Sequence, residues 1–139
     1  MVWRRSEVQF ILFPSNVVED AQLTDNELSS SLLVGVGSHN ALMTGDLPRW
    51  SELALLRRLD HQVDLLKLGH HGSRTSTDPI FLQNLNPSLV WSSHGKRNRF
   101  GHPHREVVDA LSQRGIKFVT TAESGTLSFE LLSIGWRLR

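Results

Sequence analysis

The 139-residue chain contains no cysteine, and this absence excludes several kinds of chemistry at once. Disulfides, zinc sites built on thiolates and catalysis by a thiol nucleophile all require cysteine. Long apolar runs are missing too, since none approaches the roughly 20 residues that span a bilayer, and no secretory signal pattern opens the chain. If the protein works at a membrane, we expect other polypeptide segments to place it there.

Acidic residues are missing from one long stretch. The formal net charge is only +1, yet no acidic residue lies between Asp78 and Glu106. The same stretch holds Lys96, Arg97, Arg99 and Arg105 with His94, His102 and His104. Lysine and arginine suit phosphate oxygens, and the ring of Phe100 offers a stacking face to a nucleobase. The stretch therefore indicates an anionic ligand, with a solvated basic loop as the alternative.

The apolar share of 39% is typical of a folded chain. Patterning predicts an α/β fold in the order β-β-β-α-β-α-β-α-β-β. The predicted strands are 7–13, 31–36, 41–44, 63–68, 88–92, 116–120 and 126–132, and the predicted helices are 49–59, 79–85 and one from 103 that ends at Gly115. Residues 15–29 are loop-like, and 37–40 have the composition of a hairpin turn. In the first helix, Leu53, Leu56 and Leu59 are expected to form the apolar face.

Three polar segments each follow the end of a predicted strand: Asp46, the pair His70-His71, and the stretch from His94 to His104. Loops beyond strand ends converge in layered α/β folds, so we expect one site. Each segment also has a plainer interpretation. Taken alone, Asp46 is more typical of a helix cap, and the histidine pair could lie in an exposed turn.

In order and spacing, four segments resemble a known family: LMTGDL, VDLLKLGHHGSRTST, SLVWSSHGKRNRFGHP and TTAESGTLSF. They resemble the C-terminal half of the metallo-β-lactamase-like domain of ComEC-type DNA internalisation competence proteins. The resemblance covers nearly the whole chain. It implies that residues 1–139 are one partial domain, the C-terminal half of an αββα sandwich, with a mixed sheet and helices on one face.

The resemblance also implies roles for single residues. Asp46 corresponds to a metal-bridging, catalytic carboxylate, and one of His70 and His71 to a ligand of the second metal. His102 is expected to be catalytic and to face the substrate phosphate. The residues implied in phosphate binding are Ser73, Lys96, Arg97, Asn98, Arg99 and His102, with Asn98 also shaping its loop. Upstream, Asn26 and Ser29 can be placed on an Asn-x-x-Ser element of the family, although Ser30 and Ser31 leave the register open.

Departures from the family pattern restrict what the chain can do by itself. The His-x-His-x-Asp-His-like cluster that supplies most metal ligands is missing, since only His39 and His61 precede His70. Asp46 and one histidine cannot close a two-metal site. We therefore expect a divalent metal pair, zinc or manganese, only in the complete domain, with weak or no binding and no activity in this chain. Phe100 replaces a tyrosine common in the family, and the start at Met1 suggests an expression fragment or a truncated reading frame.

The implied function is part of a bacterial competence membrane protein, whose parent domain hydrolyses DNA phosphodiesters. The expected partners are DNA, the remainder of the channel protein and a second copy bound through an exposed sheet edge. The expected location is an extracytoplasmic domain of an inner-membrane protein, with no membrane insertion by this segment. Two alternatives stay open: a non-catalytic DNA-binding or channel-gating module, and a phosphoesterase of the same fold with a small or cell-wall substrate.

Overall fold

The computed structural model describes residues 2–5, 8–15, 23–133 and 135–139, with side chains from residue 8 onward. These residues form nine strands: β1 Val2–Arg5, β2 Val8–Phe13, β3 Ser31–Val36, β4 His39–Met43, β5 Leu65–Lys67, β6 Leu89–Ser92, β7 Lys117–Thr120, β8 Phe129–Leu132 and β9 Gly135–Leu138. Four α-helices accompany them: α1 Arg49–Leu56, α2 Pro79–Leu85, α3 Arg105–Gln113 and α4 Thr121–Ser124. A short 3₁₀ turn covers Gly69–Gly72. None of these helices is long and apolar enough to cross a membrane.

Strands β1 to β7 form one mixed sheet in chain order. The pairs from β1 to β4 are antiparallel, with β3 and β4 joined by a two-residue turn, and the pairs from β4 to β7 are parallel. Each parallel pair is joined by a crossover through α1, α2 or α3, as parallel strands require. The carboxyl ends of β4 to β7 therefore meet at one edge of the sheet.

The two faces of the sheet are covered differently. On one face, Leu33, Leu42, Leu66 and Val90 pack with residues of the three longer helices, among them Leu55, Leu82 and Leu111. On the other face, Ala41, Leu65 and Leu89 pack with Trp91, Phe129 and Trp136, the last two from the β8–β9 hairpin. The hairpin does not cover the whole second face, and Phe10 on β2 is 37% exposed. The predicted α/β class, with a mixed sheet and helices on one face, is confirmed.

Several predicted boundaries were wrong. The turn between β3 and β4 is Gly37-Ser38 alone, and His39 and Asn40 pair with Val36 and Gly35. The first helix ends at Leu56 rather than at Leu59. Its buried face consists of Ser51, Glu52 and Leu55, because an α-helix repeats every 3.6 residues and the predicted face was read from leucines three residues apart. Strand β1, helix α4 and strand β9 were not predicted. Residues 16–22 of the predicted loop 15–29 lie outside the described residues.

Candidate active site

The loops that follow β4, β5 and β6 are joined by backbone hydrogen bonds at the carboxyl edge of the sheet. The amide of His70 donates to the carbonyl of Gly45 at 3.0 Å, and the amide of His104 donates to the carbonyl of Gly72 at 2.9 Å. Gly72 has φ +86°, and a Cβ there would lie 2.7 Å from Cβ of Pro103. The turn Gly69–Gly72 (the histidine turn) and the loop from His94 to His104 (the basic loop) therefore touch, and the three predicted segments lie together.

Asp46 lies in the turn after β4 and is not a helix cap. The N-cap of α1 is Pro48, which makes no side-chain cap hydrogen bond. The amide of Asp46 donates to the hydroxyl of Ser29 at 3.1 Å, and a Cβ on Gly45 before it would make tight contacts of 3.1 Å with Ser29 and Ser30. The capping interpretation of Asp46 is therefore wrong, and its carboxylate, with a side chain 38% exposed, is available to a ligand.

The histidine pair lies in a strained turn, with φ +46° at His70 and +58° at His71. Such left-handed backbone is costly for residues other than glycine and is found preferentially at functional sites. Nδ1 of His71 lies 2.6 Å from the carbonyl of Ser93, which can only accept, so Nδ1 carries the proton. The lone pair of Nε2 is thereby left free, 3.9 Å from Oδ1 of Asp46. A hydrogen bond from the other ring nitrogen is the usual way in which a metal-ligating histidine is oriented.

His70 has a different environment. Its Nδ1 lies 3.5 Å from the side-chain nitrogen of Asn26, and its ring centroid lies 5.4 Å from that of His102. Asn26 and Ser29 thus contact His70 and the backbone of Asp46 respectively, which supports the register in which these two residues form the Asn-x-x-Ser element. Of the two histidines, His71 is the one whose ring nitrogen lies 3.9 Å from the carboxylate of Asp46.

The side chain of Asn98 bonds to the backbone of His102 and so shapes the loop, the role that the family resemblance implies for it. The side-chain amide of Asn98 donates to the carbonyl of His102 at 2.7 Å, and its oxygen accepts from the amide of His102 at 2.8 Å. The peptide bond from His102 to Pro103 is cis. Burial, and then the neighbouring rings of His104 and His70, hold the pKa of His102 below its ordinary value of 6.5. The lowered pKa favours the uncharged imidazole at neutral pH, a form that can donate and accept hydrogen bonds.

The basic residues of the loop are open to solvent. Lys96, Arg97 and Arg99 are exposed, and none forms an ion pair with a described residue. These cations are consequently accessible to an anion, and phosphate binding by them stays a prediction. Ser73 is placed differently: it is 4% exposed, and its hydroxyl pairs with that of Thr75 at 2.9 Å. This placement does not favour the phosphate contact predicted for Ser73.

The sequence did not identify Glu52 as part of this region. Glu52 is 1% exposed and accepts from the amides of Thr77 and Asp78 at 2.9 and 2.8 Å. Burial raises the pKa of this carboxyl from 4.5 to about 7 and outweighs the two hydrogen bonds, which lower it. A Cβ on Gly69 would lie 2.9 Å from Oε1 of Glu52. Glu52 thus holds the backbone at Thr77 and Asp78 and lies against Gly69, the first residue of the turn that carries the histidines. The sequence signal was an acidic residue on the buried side of α1.

Lys67 on β5 is a second residue that the sequence analysis missed. Its ammonium lies 5.9 Å from the ring centroid of Trp91. Burial lowers the pKa of Lys67, while the charge of Asp46 acts in the opposite direction. A cation therefore acts on the Asp46 carboxylate from within the sheet. The sequence signal was a lysine inside the predicted strand 63–68, in which Asp64 is the other charged residue.

A metal ion would find an incomplete ligand set among the described residues. No group of three or more histidine, aspartate and glutamate side chains in that part of the chain is placed to hold an ion. His39 lies 3.5 Å from Asp64, and His61 contacts Asp60, both away from Asp46 at the other end of the sheet. The carboxylate of Asp46 and the free nitrogen of His71 have the chemistry of metal ligands, but two ligands do not complete a site.

Comparison with known proteins identifies relatives of the chain, although no protein-family model matches it. Competence protein ComA of Neisseria gonorrhoeae is 36% identical over 132 residues, which cover 93% of this chain and 19% of that protein. Recombination protein 2 of Haemophilus influenzae is 36% identical over 124 residues, covering 88% and 15%. ComE operon protein 3 of Bacillus subtilis is 35% identical over 105 residues, covering 75% and 14%. The chain thus spans less than a fifth of the length of each of these relatives.

A solved structure supports the fold. A protein of Parabacteroides distasonis named as a metal-dependent hydrolase superposes with a TM-score of 0.54 at 14% identity, over 84% of this chain and 52% of that one. The predicted resemblance is confirmed: the chain is homologous to one segment of the ComEC-type competence proteins and has a fold like that of a metal-dependent hydrolase.

Proposed function

We propose that the chain is the C-terminal half of a metal-dependent phosphodiesterase domain that acts on DNA within a bacterial competence membrane protein. The observation that carries the proposal is the pairing of Asp46 with the free nitrogen of His71, 3.9 Å apart. This pair lies next to a loop with three exposed cations. Metal-ligand chemistry beside an anion-binding surface is the combination that phosphodiester hydrolysis requires.

In the proposed domain, the residues of this chain have three roles: metal binding, phosphate binding and positioning of other side chains. Asp46 and His71 contribute to a ligand set that polypeptide outside the described residues would complete. A divalent ion bound there supplies charge that stabilises oxygens bonded to phosphorus. Lys96, Arg97 and Arg99 attract the phosphate backbone, and the uncharged His102 contacts a phosphate oxygen through a hydrogen bond. Asn98 fixes the position of His102, and Glu52 supports the turn that carries His71.

The location and partners form part of the same proposal. Competence proteins among the relatives suggest that the domain works with the DNA-uptake machinery and binds DNA. We place it outside the cytoplasm, attached to the remainder of a membrane channel protein. In this arrangement residues 1–139 are one half of the domain and need the other half for activity.

Substitutions in the parent protein test the proposal. Asp46→Ala and His71→Ala should each abolish metal-dependent DNA cleavage by the parent domain, whereas His70→Ala should leave part of it. His61→Ala is the matched control, because His61 contacts Asp60 away from the site, and it should cleave normally. The 139-residue chain alone should bind DNA in a salt-sensitive way but not cleave it with manganese, zinc or magnesium. Cleavage that survives Asp46→Ala in the parent domain would contradict the proposal.

A second candidate function is a non-catalytic DNA-binding or gating module. The incomplete ligand set among the described residues favours it. The two functions differ in metal dependence. A module of this kind would bind DNA equally well with a chelator present, and Asp46→Ala would change neither binding nor DNA uptake.

A further inference from the structure

Phe100 is the most exposed large apolar side chain in the described part of the protein, at 61% exposure. Single exposed apolar residues are common and need no special explanation. The neighbours of Phe100 are what distinguish it. It lies between Arg99 and Gly101 in the basic loop, two residues from His102.

The ring of Phe100 is held in a defined position. It stacks on the ring of His102, with centroids 5.7 Å apart and planes inclined by 23°. The backbone of His102 is in turn fixed by its two hydrogen bonds with the side chain of Asn98. A third hydrogen bond, from Asn98 to the carbonyl of Gly95 at 3.1 Å, closes the same loop. The loop backbone tied by Asn98 therefore places the exposed ring beside the proposed phosphate contact, and a ligand gains from such preorganisation.

We infer that Phe100 is a nucleobase-stacking platform that gives the site a preference for single-stranded DNA. The inference rests on the proposed function, because it assumes a DNA phosphate at His102. Aromatic side chains beside a basic groove are the usual means of binding single strands, since every base presents a π face. In a duplex both faces of a base are already stacked, so the platform acts only on an unpaired strand.

Arg99 completes the platform. Its guanidinium carbon lies 4.8 Å from the centroid of the Phe100 ring, and as an exposed side chain it can move without breaking an ion pair. A base that enters displaces Arg99 from the ring or is covered by it. In both positions the planar guanidinium stacks well on aromatic surfaces and retains its charge for the neighbouring phosphate.

Binding of labelled oligonucleotides to the 139-residue chain, followed by fluorescence anisotropy at low salt, tests the platform. Three ligands of equal length are compared: a single strand, the same backbone without bases, and a duplex. The unmodified chain should bind the base-bearing strand more tightly than the abasic one. Phe100→Ala should weaken binding of the base-bearing strand about 5- to 10-fold and leave binding of the abasic strand and the duplex unchanged.

Two further variants separate stacking from simple apolar contact. Phe100→Trp should restore the preference for the base-bearing strand, whereas Phe100→Leu, which keeps an apolar surface without a π face, should not. Ile80→Ala is the matched control, because Ile80 is 56% exposed on α2, outside the basic loop, and it should bind all three ligands normally.

The outcomes distinguish this inference from the proposed function. If no ligand binds, both are overturned. If all three bind and Phe100→Ala weakens none of them, or weakens the abasic strand equally, the platform is refuted while phosphate binding by the basic loop stands. Full binding by Phe100→Leu would also refute stacking, since it would show that any apolar side chain suffices.

Discussion

The buried carboxyl of Glu52 should make the stability of this protein depend on pH in an unusual direction. Burial raises its pKa from 4.5 to about 7, so between these values the folded chain holds a proton that the unfolded chain has released. Stability from this group is therefore fully present below pH 4.5 and is lost as the pH rises towards 7. A shift of this size corresponds to about 3 kcal/mol.

Glu52→Gln isolates that contribution. Glutamine does not titrate, and it can accept from only one of the amides of Thr77 and Asp78, so it should cost roughly 1–3 kcal/mol at every pH. In addition to that constant cost, protonation of Glu52 should raise the free energy of unfolding of the original chain by about 3 kcal/mol as the pH falls from 8 to 4.5. The free energy of unfolding should therefore differ between the two proteins by about 3 kcal/mol more at pH 4.5 than at pH 8.

Urea denaturation followed by tryptophan fluorescence measures this difference, because Trp91 and Trp136 pack against the sheet. Subtracting the free energy of unfolding of Glu52→Gln from that of the original chain at each pH removes the contributions of all other titrating groups. Glu27→Gln is a control of opposite sign, since hydrogen bonds from Thr24 hold the pKa of Glu27 below its ordinary value. A difference for Glu52→Gln that is constant with pH, or larger at pH 8, would refute the reasoning and show that the two amide donors outweigh burial.

Three further predictions concern the loops and the sheet. Asn98→Ala removes the hydrogen bonds that hold the backbone of His102. It should therefore weaken DNA binding in an anisotropy titration, and the free energy lost from binding should exceed the free energy of unfolding lost in a melting experiment. Unchanged DNA binding would contradict this prediction. Gly72→Ala should lower the free energy of unfolding by roughly 1–3 kcal/mol in urea, because it combines positive φ with a clash against Pro103, and more than Gly37→Ala, which has positive φ but open space. The chain should self-associate in light scattering as concentration rises, because edge strand β1 has no outer partner among the described strands and the second face of the sheet is partly bare; a monomer at all concentrations would exclude it.

The parts of the fold that follow from local patterning could be predicted from the sequence. Helix α2 begins as predicted because Asp78 accepts from the amide of Ile80 and Pro79 occupies the first turn. Helix α4 was missed although Thr120 accepts from the amide of Glu123 in the manner of a capping box. The single turn of α4 is too short to show apolar periodicity. Strand β1 has the sequence VWRR, in which two adjacent charges hide any alternation.

The choice between His70 and His71 could not be predicted from the sequence. It depends on the carbonyl of Ser93, which is 22 positions along the chain from His71 and on the loop after the neighbouring strand β6. The burial of Glu52 depends likewise on the loop 73–78 folding over α1. Local sequence patterns identified candidate functional residues such as the histidine pair. Contacts between loops, which local patterns do not reveal, determine which side-chain atoms of these residues already have a hydrogen-bond partner.

The arrangement of charge at the site follows from the burial of each group. Three cations of the loop, Lys96, Arg97 and Arg99, are exposed, and in the proposed domain they would attract a phosphate backbone over several ångströms, an attraction that weakens as salt increases. His102, half-buried among other histidines, has a lowered pKa and acts only at hydrogen-bond distance. A charged imidazole beside His71 would repel a metal cation, whereas an uncharged one does not. In the proposed domain, cations at the rim would attract phosphate, while the lowered pKa of His102 would reduce its repulsion of a metal ion held beside it by His71.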